Sequence, residues 1–77
     1  MTGEQLRQAI RPHPFIPFTI TMGDGRRFRV AHPEFIALTH TGRIAYVVNA
    51  DDSYSILDLL LMTELQLAPG GPNGEGV

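Results

Sequence analysis

Seventy-seven residues suffice for one small domain, close to the size below which a single core cannot hold a fold unaided. The chain has no cysteine, which excludes disulfide staples and thiolate metal sites, and no apolar run nears the roughly 18 residues of a membrane span. Apolar residues make up 43% and charged residues 18%, the balance of a globular chain rather than a disordered one, and the formal charge is −2.

Thr2, with Gln5 three positions later, fits a capping box, and Leu6, Ala9 and Ile10 then share one helical face. Pro12 cannot continue that helix, because it lacks an N–H and disfavours helical backbone at Arg11. About two turns are expected, too short to persist in water unless packed on something. The element is therefore either a lid on the core or a docking element. Pro12, Pro14 and Pro17 stiffen the next stretch, and Phe15 and Ile16 among them point to a tether running over apolar surface.

From Phe18 the period becomes two. Phe18, Ile20 and Met22 alternate with Thr19, Thr21 and Gly23, as in a half-buried strand. Asp24-Gly25 supplies the positive φ angles of a tight hairpin, and the return strand sets Phe28 and Val30 against Arg27 and Arg29. Pro33 interrupts the alternation, which resumes over Phe35 to Thr39 before a turn at Thr41-Gly42. Ile44 to Val48 is apolar enough to be buried on both faces. A polar loop, Asn49-Ala50-Asp51-Asp52, returns the chain to Tyr54 and Ile56, which alternate with Ser55 and Leu57. The leucine-rich stretch from Ile56 to Met62 suits either a strand or a helix. We read strand, a tight turn around Asp58 to Leu60, and a closing strand over Thr63 to Leu67; a single helix from Ser55 to Leu67 is the alternative. Residues 69–77, PGGPNGEGV, offer nothing to bury and are expected to form a disordered tail outside a single domain over residues 1–68.

The fold class expected is mainly β (α+β): a short N-terminal helix followed by about five strands in a strongly bent sheet or small barrel. The string PFIPFTITMGDGRRFRVAHPEFIAL, with GRIAYVV and ILDLLLMTELQL after it, resembles a group of short bacterial proteins of no known activity. They share the Pro-Phe-x-Pro-Phe opening, the Asp-Gly hairpin, the His-Pro-Glu-Phe turn and the Asp-Leu-Leu-Leu tail. That resemblance implies one intact domain and no particular chemistry. In the order of its elements the chain is also similar to the Sm-like small barrels, which implies a ring-forming, RNA-binding protein. It departs from them in having no central Gly to bend the Arg26–Val30 strand, no Asp after it, and no basic loops.

His13, His32 and His40 are the only side chains suited to general-base or neutral metal-ligand work at pH 7, with Glu34 a possible acid–base mate for His32. None is paired at zinc-helix spacing, and His32 reads as a turn residue. No catalytic, cofactor or metal site is assigned. Gly23-Asp24-Gly25 lacks the Gly-Lys-Ser/Thr ending of a phosphate loop and reads as a turn. Arg26, Arg27, Arg29 and Arg43 form the candidate nucleic-acid face, although Phe28 should point inward and leaves them without a stacking aromatic. Leu57, Leu60, Leu61 and Met62 form the candidate protein interface, because small cysteine-free domains often gain stability by oligomerising.

Charge adds a second hint. All six arginines fall in residues 1–50 with three acids, while residues 51–77 carry five acids and no base. Such asymmetry could steer one copy's basic face to another's acidic edge, although folding can also mix the two segments on one surface. The expectation is a non-enzymatic interaction module that self-associates or docks on a larger protein. An Sm-like RNA-binding ring is the alternative, and a small hydrolase or metal protein built on His32 and Glu34 a distant third. No cofactor, small-molecule substrate or membrane partner is expected. The N-terminus has neither the basic start nor the apolar stretch of a signal peptide, so the cytoplasm is the default location.

Overall fold

Thr2 caps the first helix reciprocally with Gln5. Its Oγ1 accepts from the Gln5 N–H at 3.1 Å, and its own N–H donates to Gln5 Oε1 at 3.0 Å. Helix α1 spans Gly3–Ile10 in a computed structural model that describes residues 1–68. The expected tail, residues 69–77, lies outside the described residues. Leu6 is fully buried, and Met1, Ala9 and Ile10 pack beside it against the core, so the helix is a lid. Gly3 permits this seating, since a Cβ there would stand 2.8 Å from Gly42 Cα. Arg7 completes the clamp by donating to the Thr39 and His40 carbonyls at 3.3 and 3.1 Å.

Six strands follow: β1 Phe18–Met22, β2 Arg27–Val30, β3 Ile36–Leu38, β4 Ile44–Val48, β5 Tyr54–Asp58 and β6 Met62–Leu67. They form two antiparallel three-stranded sheets, ordered β2-β1-β6 and β3-β4-β5, rather than a closed barrel. Each corresponds to a strand segment read along the chain, so the count of about five falls one short, and a 3₁₀ turn over Pro33–Phe35 separates β2 from β3 where Pro33 was expected to interrupt. Pro33 has no N–H to give a ladder, so pairing stops there and the chain crosses from one sheet to the other. The ambiguous leucine stretch resolves as strand, 3₁₀ turn over Leu59–Leu61, and strand. Asp58 holds that turn by accepting from the Leu60 N–H at 2.9 Å, and the Leu59 N–H donates to the Arg43 carbonyl at 3.0 Å. Strand β6 then returns to β1 in the register Phe18↔Leu67 to Thr21↔Glu64, with a bulge before Met22↔Met62.

Between the sheets lie Phe18, Ile20, Met22, Val30, Ile36, Ala45, Val47, Leu57, Leu59 and Met62, closed over by Leu6. No polar or charged residue is buried among them. Phe15 packs against the same core, its ring 5.7 Å from that of Phe18, so the proline-rich stretch does run over apolar surface.

Two local expectations need correction. In the first hairpin only Gly25 has positive φ (92°), while Asp24 does not. Gly25 N–H donates to the Met22 carbonyl at 2.9 Å and Met22 N–H to the Arg26 carbonyl at 2.8 Å, a three-residue loop whose last residue alone is left-handed. The β4–β5 loop repeats this pattern with Asp52 (φ 72°) in the glycine's place. Second, β4 is buried on one face only: Ala45 and Val47 point inward, whereas Tyr46 and Val48 are exposed. Alternation explains this, because every second side chain of a strand faces away from a core that lies on one side.

Candidate interaction surface

The outer faces of the two sheets differ sharply in chemistry. On β2-β1-β6 the outward row pairs Arg29 with Thr19 and Gln66, and Arg27 with Thr21 and Glu64. Arg27 donates to Gln66 Oε1 at 3.1 Å, so this face is polar and tied to itself. On β3-β4-β5 the outward rows pair Ala37 with Tyr46 and Ile56, and Val48 with Tyr54. These two rows are uncharged, and a third outward pair at the strand end, Ile44 with Asp58, brings a single carboxylate. Phe35 enters β3 beside Val48 and extends the apolar surface along a shallow groove of about 380 Å³, lined also by Ala31, Asn49 and Ala50, with Arg29 and Asp52 among its walls.

Arg26 is engaged with Asp24 at 2.8 Å and lies 5.6 Å above the Phe28 ring. Its backbone N–H also donates to Asp24, and this bond, with the guanidinium, holds the Asp24 carboxyl below its usual pKa. Arg27 and Arg29 project from the polar face, whereas Arg43 sits on the turn into β4, in the other sheet. The four candidate arginines are therefore not one strip. Of the four candidate interface residues, Leu57 and Met62 belong to the core, and only Leu60 and Leu61 present their side chains to solvent. The leucine surplus is divided by the 3₁₀ turn: Leu59 is turned inward while Leu60 and Leu61 project out.

His13, His32 and His40 are all exposed, and the His32 ring stands edge-on to Phe35 at 5.4 Å. Among the described residues no three His, Cys, Asp or Glu side chains converge in a manner suited to a metal ion. No described helix is long and apolar enough to cross a membrane.

Composition concealed the apolar outer face. Its members, Phe35, Tyr46, Val48, Tyr54 and Ile56, look like core residues in the string, and their types are those of any buried strand. The available signal was that two adjacent strands carry apolar residues in both phases. A chain of this length has too little interior to bury both. No protein-family model, curated protein or solved structure matches this chain.

Proposed function

We propose that this protein is a non-enzymatic interaction module whose working surface is the largely apolar outer face of β3-β4-β5. The observation that carries the reading is the exposure of Tyr46, Val48, Tyr54 and Ile56 side by side on paired strands, with Phe35 at their margin. Contiguous apolar surface of this kind marks a docking site more often than isolated exposed residues do. Leu60 and Leu61 add a smaller apolar ridge at the 3₁₀ turn.

Light scattering combined with an absorbance ratio for nucleic acid tests the reading, since it reports mass and cargo together. Replacing Tyr54 by Ser and Ile56 by Thr alters only outward side chains and should leave the fold intact while abolishing association. Association untouched by that pair would count against the face.

An Sm-like, ring-forming RNA-binding protein is the second reading. Its support is the return of β6 to β1 after a 3₁₀ turn, with β5 and β6 each paired on one side only among the described residues. Reversing Arg27 and Arg29 together should then weaken RNA binding, with affinity falling steeply as salt rises.

A further inference from the structure

We infer that the outer face of β3-β4-β5 is the interface of a two-fold dimer in which two copies stack face to face with their strands antiparallel. This rests on the reading of that face as a docking surface and names its occupant, a second copy of the chain. Area favours such a partner. Phe35, Tyr46, Val48, Tyr54 and Ile56 are 37, 42, 40, 69 and 61% exposed. Together they amount to about two and a half fully exposed side chains, roughly 400–500 Å² at about 150–200 Å² each. A standard interface takes about 800 Å² from each partner, of which about 65% is apolar in homodimers, so roughly 500 Å². One copy of this face supplies nearly that amount.

Self-pairing further requires that the face not repel itself, because a two-fold axis brings the same patch onto its own copy. The rows Ala37–Tyr46–Ile56 and Val48–Tyr54 carry no charge, so nothing at their centre opposes this. The charges lie at the two ends of the strands. At the Asn49–Ser53 loop stand Asp51, bonded to Ser53, and Asp52, which shares the groove wall with Arg29. At the opposite end, around the turn into β4, stand Arg7 on the Thr39 and His40 carbonyls, Arg43 just before β4, and Asp58 in register with Ile44. The Asp58 carboxylate already accepts from the Leu60 N–H at 2.9 Å, and Asp51 already accepts from the Ser53 hydroxyl at 2.6 Å.

Those ends select the axis. A two-fold axis along the strands would set each acidic loop on the other copy's acidic loop. An axis across the strands sets each acidic loop over the partner's Arg43 end and stacks the sheets in the aligned manner usual for paired sheets. Like charges brought together disfavour the first arrangement, and opposite charges favour the second.

Sedimentation equilibrium on the full chain should give twice the 8.5 kDa chain mass, and Ile56→Glu should give the monomer with an unchanged far-UV spectrum. Arg43→Asp should weaken the dimer about tenfold, through two symmetric charge contacts, and Arg43→Asp with Asp51→Arg should recover most of that loss. Since the chain has no cysteine, mixed Arg43→Cys and Asp51→Cys proteins should oxidise to the mixed disulfide in preference to either like pair. Preferential Asp51→Cys self-linkage overturns the antiparallel stacking in favour of an axis along the strands, and a monomer at every concentration overturns the pairing altogether but leaves the face open to a different protein. An oligomer that Ile56→Glu leaves intact overturns both the pairing and the docking face. Nucleic acid that copurifies and is lost with Ile56→Glu would make the face a base-stacking platform and overturn the dimer.

Discussion

Leu6→Ala tests whether the N-terminal helix is structurally part of the core. Leu6 is the one fully buried side chain of α1, and it closes the space between the two sheets. Removing its three outer carbons leaves a cavity beneath a helix that cannot shift to fill it. Gly3 already rests against Gly42, and Arg7 is hydrogen-bonded to the Thr39 and His40 carbonyls. Buried Leu→Ala changes of this kind cost about 2–5 kcal/mol, and the rigid seating argues for about 3. A domain of this size has about 4–10 kcal/mol in all, so a third or more of its stability is at stake. Urea unfolding followed by circular dichroism and by amide exchange measures it. With a slope of about 1 kcal/mol per molar, the midpoint should fall by about 3 M in one cooperative step that includes the sheets. A loss under about 1 kcal/mol, or melting of the helix while both sheets keep their protection, would show that α1 is a separable appendage.

Other outcomes follow from the same packing. Gly3→Ala should destabilise by about 1–3 kcal/mol, because its Cβ meets backbone that has no slack; thermal unfolding reads this directly. Leu60→Ser should change stability by under about 0.5 kcal/mol, whereas Leu57→Ala, three residues earlier in the chain, should cost about 2–5 by denaturant titration. Asp52→Gly should raise Tm by about 2–4 °C, since Asp52 holds a left-handed φ that glycine adopts freely, offset in part by glycine's freer unfolded chain. Acid should loosen both three-residue loops. The Ser53 hydroxyl and N–H hold the Asp51 carboxyl below its ordinary 3.8, and the Arg26 N–H and guanidinium do the same for Asp24. The unfolded chain thus takes up these protons first. The stabilisation is fully present above the ordinary Asp value and is lost as pH falls through the depressed one. Asp51→Asn should flatten part of that acid slope in Tm, and a slope indifferent to Asp51 and Asp24 would refute their role.

Much of the architecture was legible in the string because its signals are local. The Thr2–Gln5 box, the stop at Pro12, the period of two from Phe18 and the turn at Gly42 each act within a few residues. The structure shows each of them where expected. The strand reading of Tyr54 to Leu67 also held, because Asp58 caps a single 3₁₀ turn and leaves Met62 extended. Less visible was that Gly25 alone, not Asp24, would take the left-handed backbone. Loop length decides that, and it depends on where the flanking strands pair.

What the tertiary structure alone decided is which strands meet and which apolar residues stay outside. Pairing β6 with β1 joins residues forty or more positions apart, and no local pattern encodes a partner at that distance. Division of the leucines depends on the same closure, with Leu57, Leu59 and Met62 inward and Leu60 and Leu61 outward. The apolar face of Tyr46, Val48, Tyr54 and Ile56 reads as core in one dimension. Only after Ala45, Val47 and Leu57 had filled the interior did the opposite phase of the same strands become surface. Short-range sterics, capping and periodicity set the elements. The fold determined the surface, because burial is a competition for one limited interior that no single segment can settle.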